Sequence, residues 1–117
     1  MICLRVNTET YMFFHFYLEV TMLESEYQME LIPRIEARLP GCLVLKNDAN
    51  YRQGIPDLSV FYKAHWAFLE VKASEKSVER PNQRYYINTW NEHSFASFIY
   101  PENEEEVLDA LQRSLEG

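Results

Sequence analysis

Two carboxylates and one ammonium group stand at a spacing that could bring them together. Asp57 begins a run rich in Val, Phe and Tyr, and Glu70 and Lys72 end the next such run, 66–72. A tight turn at 63–65 would fold the two runs into a hairpin and place Asp57 beside Glu70, with Lys72 on the same face. Adjacent carboxylates repel each other, so one of them holds a proton unless a cation lies between them.

A hard divalent cation would remove this repulsion. Mg²⁺ or Mn²⁺ favours oxygen ligands, and the backbone carbonyl of Val71 would join the carboxylates of Asp57 and Glu70. A water on such an ion becomes a nucleophile near neutral pH, and Lys72 would orient it or neutralise charge on a phosphoryl oxygen. The set therefore predicts metal-assisted hydrolysis of a phosphodiester. The alternative is that these charges form a turn and a solvated strand edge.

An amphipathic helix is predicted upstream of the carboxylates, over 24–39. Ser25 and Gln28 form a capping box at its start, and Pro33 should kink it or split it. Glu26 and Glu30 are spaced i, i+4 on a common face, so either could supply a third metal ligand. The apolar stripe recurs at every fourth residue: Tyr27, Leu31, Ile35 and Leu39.

The remaining elements alternate along the chain. Apolar and polar side chains alternate over 14–22, which predicts a half-buried strand, and no run approaches the ~20 apolar residues that span a bilayer. Further elements are strands at 42–45, 57–62, 66–72 and 95–100, a helix over 81–92 and a last helix capped by Asn103. A strand followed by αβββαβα predicts an α/β fold with a central mixed sheet flanked by helices.

Composition and charge favour one domain with a basic middle. The chain has 117 residues, 47% of them apolar, and a net charge of −7. Residues 34–84 nevertheless hold nine Lys and Arg against six Asp and Glu. Phosphate binding needs such cations near the scissile bond, although they could equally be a solvated surface. The candidate contacts are Arg34, Arg38, Lys46, Arg52, Lys76, Arg80 and Arg84.

Cysteine and aromatic residues add weaker expectations. Cys3 and Cys42 cannot form a multi-bridge framework, which favours a reducing cytosol. The three histidines lack metal-ligand spacing. The aromatic residues Tyr85, Tyr86 and Trp90 could stack on splayed bases, or the last two could belong to the core stripe of their helix.

The motifs resemble those of a known nuclease superfamily. Gly54-Ile55-Pro56-Asp57-Leu58, then Glu70-Val71-Lys72, then Gln83 opening a helix, is similar to the PD-(D/E)xK nucleases and specifically to their small VRR-NUC-like branch. The resemblance covers about residues 24–100 and implies a restriction-endonuclease-like core. From the Ser25-Glu26-Tyr27-Gln28 motif it assigns metal support to Glu26, with Glu30 as substitute, and it implies that Gln83 touches substrate or water.

The sequence thus predicts a single nuclease domain: a strand extension at 1–23, a catalytic core at 24–100 and a C-terminal helix at 101–117. We expect a Mg²⁺- or Mn²⁺-dependent endodeoxyribonuclease, selective for branched or junction DNA. A homodimer formed through the aromatic segment 11–23, and the cytosol of a bacterium or a phage-infected host, complete the expectation. The alternative is a catalytically inactive nuclease-like module that binds a protein partner or nucleic acid.

Overall fold

The sheet of this protein is mixed and has four strands in the order β1-β2-β3-β4. The computed structural model describes the backbone of residues 8–117 and the side chains of residues 23–117. Strands β1, β2 and β3 pair antiparallel, and β4 joins β3 in parallel. In chain order the elements are α1 (Thr8–Arg38), β1 (Leu43–Lys46), β2 (Leu58–Tyr62), β3 (His65–Val71), α2 (Pro81–Asn91), β4 (Phe95–Ile99) and α3 (Glu104–Glu116).

This order confirms the predicted α/β class, with helices flanking a central mixed sheet. A short 3₁₀ turn, Pro101–Asn103, leads into α3. Asn103 precedes α3 as predicted, but its side chain makes no cap hydrogen bond to α3. The side-chain Oδ1 of Asn103 instead accepts a hydrogen bond from the backbone N–H of Tyr100, at 2.8 Å.

Helix α1 overturns the strand predicted over 14–22. It is one continuous helix from Thr8 to Arg38. No glycine or proline occurs before Pro33 to interrupt it, so Ser25 and Gln28 lie inside the helix rather than at its start. Pro33 does not split the helix either. Its ring is exposed, so water can reach the carbonyl that loses its hydrogen bond.

This helix changes two predictions for the N-terminal segment. The strand extension assigned to 1–23 is wrong from residue 8 onward. The predicted pairing surface 11–23 lies outside the described side chains except for Leu23, which is exposed. No helix among residues 8–117 is long and apolar enough to span a bilayer.

One face of the sheet packs against α1 and α3 in the main apolar core. Alternate residues of β3, Ala67, Leu69 and Val71, are fully buried in it. Arg34 of α1 pairs with Glu104 of α3 at 2.8 Å, which ties the two covering helices together. The predicted stripe belongs to this core: Tyr27, Leu31, Ile35 and Leu39.

The opposite face is covered only in part, by α2. Ile87 of α2 packs against Ala96 and Phe98 of β4. The rings of Trp66 and Phe68 of β3 and of Trp90 of α2 form three edge-to-face pairs. The ring centroids within these pairs lie 5.3 to 6.3 Å apart. Beyond these rings the same alternation brings Glu70 to this face, so the polar groups of β3 follow an aromatic cluster.

Candidate active site

The β2–β3 hairpin brings Asp57 alongside the end of β3. Leu58 is paired with Leu69, and the turn at Lys63-Ala64 closes with Lys63 at a φ of 53°. The backbone N–H of Val71 donates to Oδ2 of Asp57 at 2.9 Å. The spacing predicted from sequence is therefore realised: the Asp57 carboxylate lies beside Glu70.

Glu70 is a buried carboxyl in an unusual environment, with 2% of the residue exposed. Burial and the negative charge of Asp57 raise the pKa of Glu70 to about 9. Lys72 opposes this rise without cancelling it. Among residues 23–117, Oε2 of Glu70 is the buried side-chain oxygen or nitrogen without a partner. Glu70 therefore keeps its proton near neutral pH when no cation lies beside it.

Gln83, the first-turn residue of α2, links Glu70 to Lys72. Its Nε2 donates to Oε1 of Glu70 at 2.9 Å, and its Oε1 accepts from Nζ of Lys72 at 2.8 Å. These two partners fix the orientation of the amide, because a carboxyl oxygen needs a donor and an ammonium needs an acceptor. Gln83 points into the site as the family resemblance implied, and there it positions Glu70 and Lys72.

Lys72 is buried, with 7% of the residue exposed. Its Nζ donates to the carbonyl of Val78 at 3.1 Å as well as to Gln83. An ammonium group has three N–H donors, so the two bonds leave one for a substrate oxygen.

The 47–57 loop holds Asp57 in place from the other side. The backbone N–H of Asn47 donates to the carbonyl of Asp57 at 2.8 Å, and Nδ2 of Asn47 donates to the carbonyl of Pro56 at 2.9 Å. Gly54 has a φ of +84°, and a Cβ there would lie 2.7 Å from Cβ of Asn82. Only glycine allows the loop to approach α2 this closely.

These elements surround a cleft of about 740 Å³, the candidate cleft. This volume lies in the range of ligand-binding sites. A second cavity on the same side, about 310 Å³, is lined by Trp66, Phe68 and Trp90 with their neighbours and contains no titratable group. The candidate cleft is lined by Glu24, Ser25 and Gln28 of α1, by Ala49 and Asp57, by Glu70 and Lys72, by Ser74, Lys76, Ser77, Val78 and Arg80, and by Gln83.

The helix carboxylate in this cleft is Glu24, not Glu26 or Glu30. Both predicted residues are exposed and neither lines the cleft. Burial raises the pKa of Glu24, the charge of Lys72 opposes the rise, and the charge of Asp57 adds to it. The helical phase explains the correction. At 100° per residue Glu24 lies about 20° from the buried Leu31, whereas Glu26 lies about 140° and Glu30 about 100° away.

The predicted phosphate contacts divide into two groups. Three cations bind carboxylates: Arg34 pairs with Glu104, Arg38 with Glu105 and Asp109, and Arg84 with Glu79. The remaining four are exposed, and no described side chain forms an ion pair with them: Lys46, Arg52, Lys76 and Arg80. Lys76 and Arg80 line the candidate cleft, so they are the best placed for a phosphate.

Tyr86 and Trp90 of α2 pack against other parts of the fold, which was the alternative to stacking on bases. Trp90 belongs to the aromatic cluster on the sheet, and Tyr86 is half-buried beside Gly54. Tyr85 is 66% exposed and does not line the candidate cleft.

The donor set fits a metal ion in part. Within residues 23–117, no three His, Cys, Asp or Glu side chains are close enough to hold a metal by themselves. Asp57 and Glu70 nevertheless present adjacent oxygens, one of them without a partner. Mg²⁺ is commonly held by one or two carboxylates and several waters, so this pair matches its needs.

Comparison with known proteins adds no identification. The chain matches no protein-family model, no curated protein and no solved structure. The chemistry of the candidate cleft must therefore be judged from its own geometry.

Proposed function

We propose that this protein is a divalent-metal-dependent nuclease that hydrolyses DNA phosphodiester bonds in the candidate cleft. The observation that carries the proposal is the buried Glu70 carboxyl, which lies against Asp57 with one oxygen unpartnered. Burying the Glu70 carboxyl against Asp57 costs free energy, and a cation that replaces the proton of Glu70 would recover it. Sites of this kind are characteristic of function rather than of stability.

The chain's own groups divide the work. Asp57 and Glu70 would hold Mg²⁺ or Mn²⁺, and the carbonyl of Val71 and the Glu24 carboxylate are the further oxygens in our proposal. A bound divalent ion would supply Lewis acidity toward water and the phosphoryl group. Lys72 would stabilise negative charge on the phosphoryl oxygen with its remaining N–H. Gln83 acts as a positioning residue, because its side chain forms hydrogen bonds with both Glu70 and Lys72.

The resemblance to PD-(D/E)xK nucleases of the VRR-NUC-like branch supports the same proposal, including a restriction-endonuclease-like core. Lys76 and Arg80, on the wall of the candidate cleft, would bind the DNA backbone. We extend the proposal to a homodimer, since 117 residues offer little surface for gripping a duplex. Branched or junction DNA is the proposed substrate class.

The direct test is a cleavage panel. Supercoiled, single-stranded and four-way-junction DNA are incubated with the protein and Mg²⁺ or Mn²⁺, then with chelator. We expect cleavage that needs the metal and that Asp57→Asn and Lys72→Ala abolish. Arg84→Gln is the matched control, because it removes a cation that binds Glu79 outside the cleft. Absence of cleavage on every substrate with either metal would reject the proposal.

A specific observation keeps one alternative in view. Among the described residues no three His, Cys, Asp or Glu side chains are close enough together to hold a metal by themselves, although many metal sites use three. This favours, as second candidate, a nuclease-like module without turnover that binds nucleic acid or a protein partner. It predicts that Asp57→Asn and Lys72→Ala bind DNA as the parent does and that nothing is cut.

A further inference from the structure

Tyr51 is the most exposed large apolar or aromatic side chain among residues 23–117, at 88%. An aromatic ring left in water gains no burial energy in the folded chain. The ring is therefore available for contact with a binding partner.

The loop that carries Tyr51 is ordered by its own hydrogen bonds. The carbonyl of Asp48 accepts from the N–H groups of Tyr51 and Arg52, at 3.1 and 3.3 Å. Oδ1 of the same aspartate accepts from the N–H of Asn50 at 2.8 Å, which makes an Asx turn. The ring is thus presented at a fixed place instead of at the tip of a loose loop.

That place is close to the candidate cleft, although Tyr51 is not itself among the residues that line it. Ala49, two residues before Tyr51, lines the cleft, and two residues span at most about 7 Å of chain. The same loop ends at Asp57, to which Asn47 ties its start. A ligand held on Tyr51 is therefore held by the segment that carries one of the two central carboxylates.

The positively charged side chains near Tyr51 and in the candidate cleft indicate which kind of ligand would bind. Arg52 follows Tyr51 directly, is exposed, and forms no ion pair with any described side chain. Lys76 and Arg80 line the cleft from the 73–80 loop. An exposed ring next to an exposed arginine fits a nucleotide, whose base stacks on the ring while its phosphate binds the cation.

We propose that Tyr51 is a stacking platform for an unpaired base next to the phosphate in the candidate cleft, with Arg52 on the flanking backbone. A base inside a duplex is stacked on its neighbours on both sides, so only an unpaired or displaced base can offer a free face. The ligand class is single-stranded nucleic acid or the unpaired arm of a branch. This inference rests on the proposed function for the location of the phosphate.

The test measures binding in chelator, so it does not depend on cleavage. A single-stranded oligonucleotide containing 2-aminopurine, and a blunt duplex of the same sequence, are titrated with the parent and with Tyr51 variants. We expect Tyr51→Ala to weaken single-strand binding about 5- to 100-fold and to abolish 2-aminopurine quenching. Tyr51→Phe should retain both, and duplex affinity should be unchanged.

Salt dependence separates the ring from the charge. Tyr51→Ala should leave the slope of log affinity against log salt unaltered. Arg52→Gln should reduce that slope by about 0.7, the value of one phosphate contact on a single strand. A ribo-oligonucleotide run in parallel distinguishes RNA from DNA as the source of the base.

Tyr85→Ala is the control, since it removes an exposed tyrosine whose ring packs edge-to-face against Tyr86. An equal loss in Tyr85→Ala, or unchanged single-strand affinity in Tyr51→Ala, would overturn the assignment. The two proposals fail separately. Metal-dependent cleavage with no effect of Tyr51→Ala rejects the stacking site alone, whereas a Tyr51-dependent single-strand affinity without any cleavage supports it and rejects the nuclease.

Discussion

The sheet face beneath α1 and α3 is packed with aliphatic side chains, whereas the face beneath α2 buries a carboxyl and an ammonium group. In β3, Leu69 is fully buried in the first environment and Glu70 is 2% exposed in the second. Neighbouring residues of one strand thus experience opposite physical demands. Burial of aliphatic side chains on the first face lowers the free energy of the folded state. Burial of the carboxyl and the ammonium group on the second face raises it.

The largest expected effects come from substitutions of two neighbouring residues of β3, one on each face of the sheet. Glu70→Gln keeps the shape of the side chain and removes its charge, so we expect cleavage to fall by about 10²- to 10³-fold or more while the protein stays folded. Leu69→Ala should instead cost about 2–5 kcal/mol of unfolding free energy and leave the rate per folded molecule intact. Cleavage rates and urea unfolding of both variants measure this. Equal destabilisation by both would remove the distinction between the faces.

The second prediction concerns pH. An unfolded Glu70 loses its proton near 4.5, while the folded one keeps it until about 9. Between these values the folded state binds more protons, so the unfolding free energy of the metal-free protein should fall with rising pH, by on the order of a few kcal/mol. Urea unfolding from pH 5 to 9 in chelator measures the slope.

Glu70→Gln supplies the control for this slope, because it should flatten the decline. Addition of Mg²⁺ should release a proton and oppose the decline, since the metal and the proton compete for the same carboxyls. A parent whose stability rises across this range would contradict the raised pKa of Glu70.

At acidic pH the stability of the protein depends on Glu104 of α3, on the other side of the sheet. Burial would raise the pKa of Glu104, but hydrogen bonds from Arg34 and Tyr27 outweigh it and lower the pKa. Its contribution is therefore present at neutral pH and lost as the pH falls below about 4.

Two glycines sharpen the comparison at the level of the backbone. Gly54 and Gly41 have φ of +84° and +90°, but only at Gly54 would a Cβ meet atoms of α2. We expect Gly54→Ala to cost about 2–4 kcal/mol, from strain plus overpacking, and Gly41→Ala about 1–2 kcal/mol, from strain alone. Thermal or urea unfolding compares the two. Equal losses would show that the approach of the loop to α2 is not tight.

The smallest effect separates two carboxylates on one helix. Glu24→Gln should weaken metal-supported cleavage about tenfold, because Glu24 lines the cleft and interacts electrostatically with Asp57. Glu26→Gln should leave it unchanged, because that residue is exposed on another side of α1. The metal concentration that gives half-maximal rate measures the difference. A larger effect at Glu26 would restore the assignment made from the family resemblance.

The sequence predicted the hairpin and its carboxylates well, because β2 and β3 are short runs with clear ends. Asp57, Glu70 and Gln83 occupy the positions expected of them, although their chemical roles stay predictions. Long-range pairings such as Arg34 with Glu104 gave no sequence signal, since 70 residues separate the partners. For this reason the sequence did not show that Arg34 and Arg38 pair with carboxylates of α3, whereas Arg84 pairs with Glu79 only five residues away.

The N-terminal helix shows where periodicity fails. Aromatic residues are so frequent over 11–18 that an alternating pattern appears in a segment that is helical. Lack of any glycine or proline from Thr8 to Ile32 was the better signal, because it leaves nothing to end the helix of the Tyr27–Leu39 stripe. The phase of that stripe would also have chosen Glu24 over Glu26.

The order of elements along the chain has a consequence for biosynthesis. Gln83, which bridges Glu70 and Lys72, is translated after Asp57, Glu70 and Lys72. The same holds for β4, whose Ile99 carbonyl accepts from the N–H of Lys72, and for α3, whose Glu104 pairs with Arg34 of α1. On the ribosome these three residues are therefore synthesised before the elements that hold them in place.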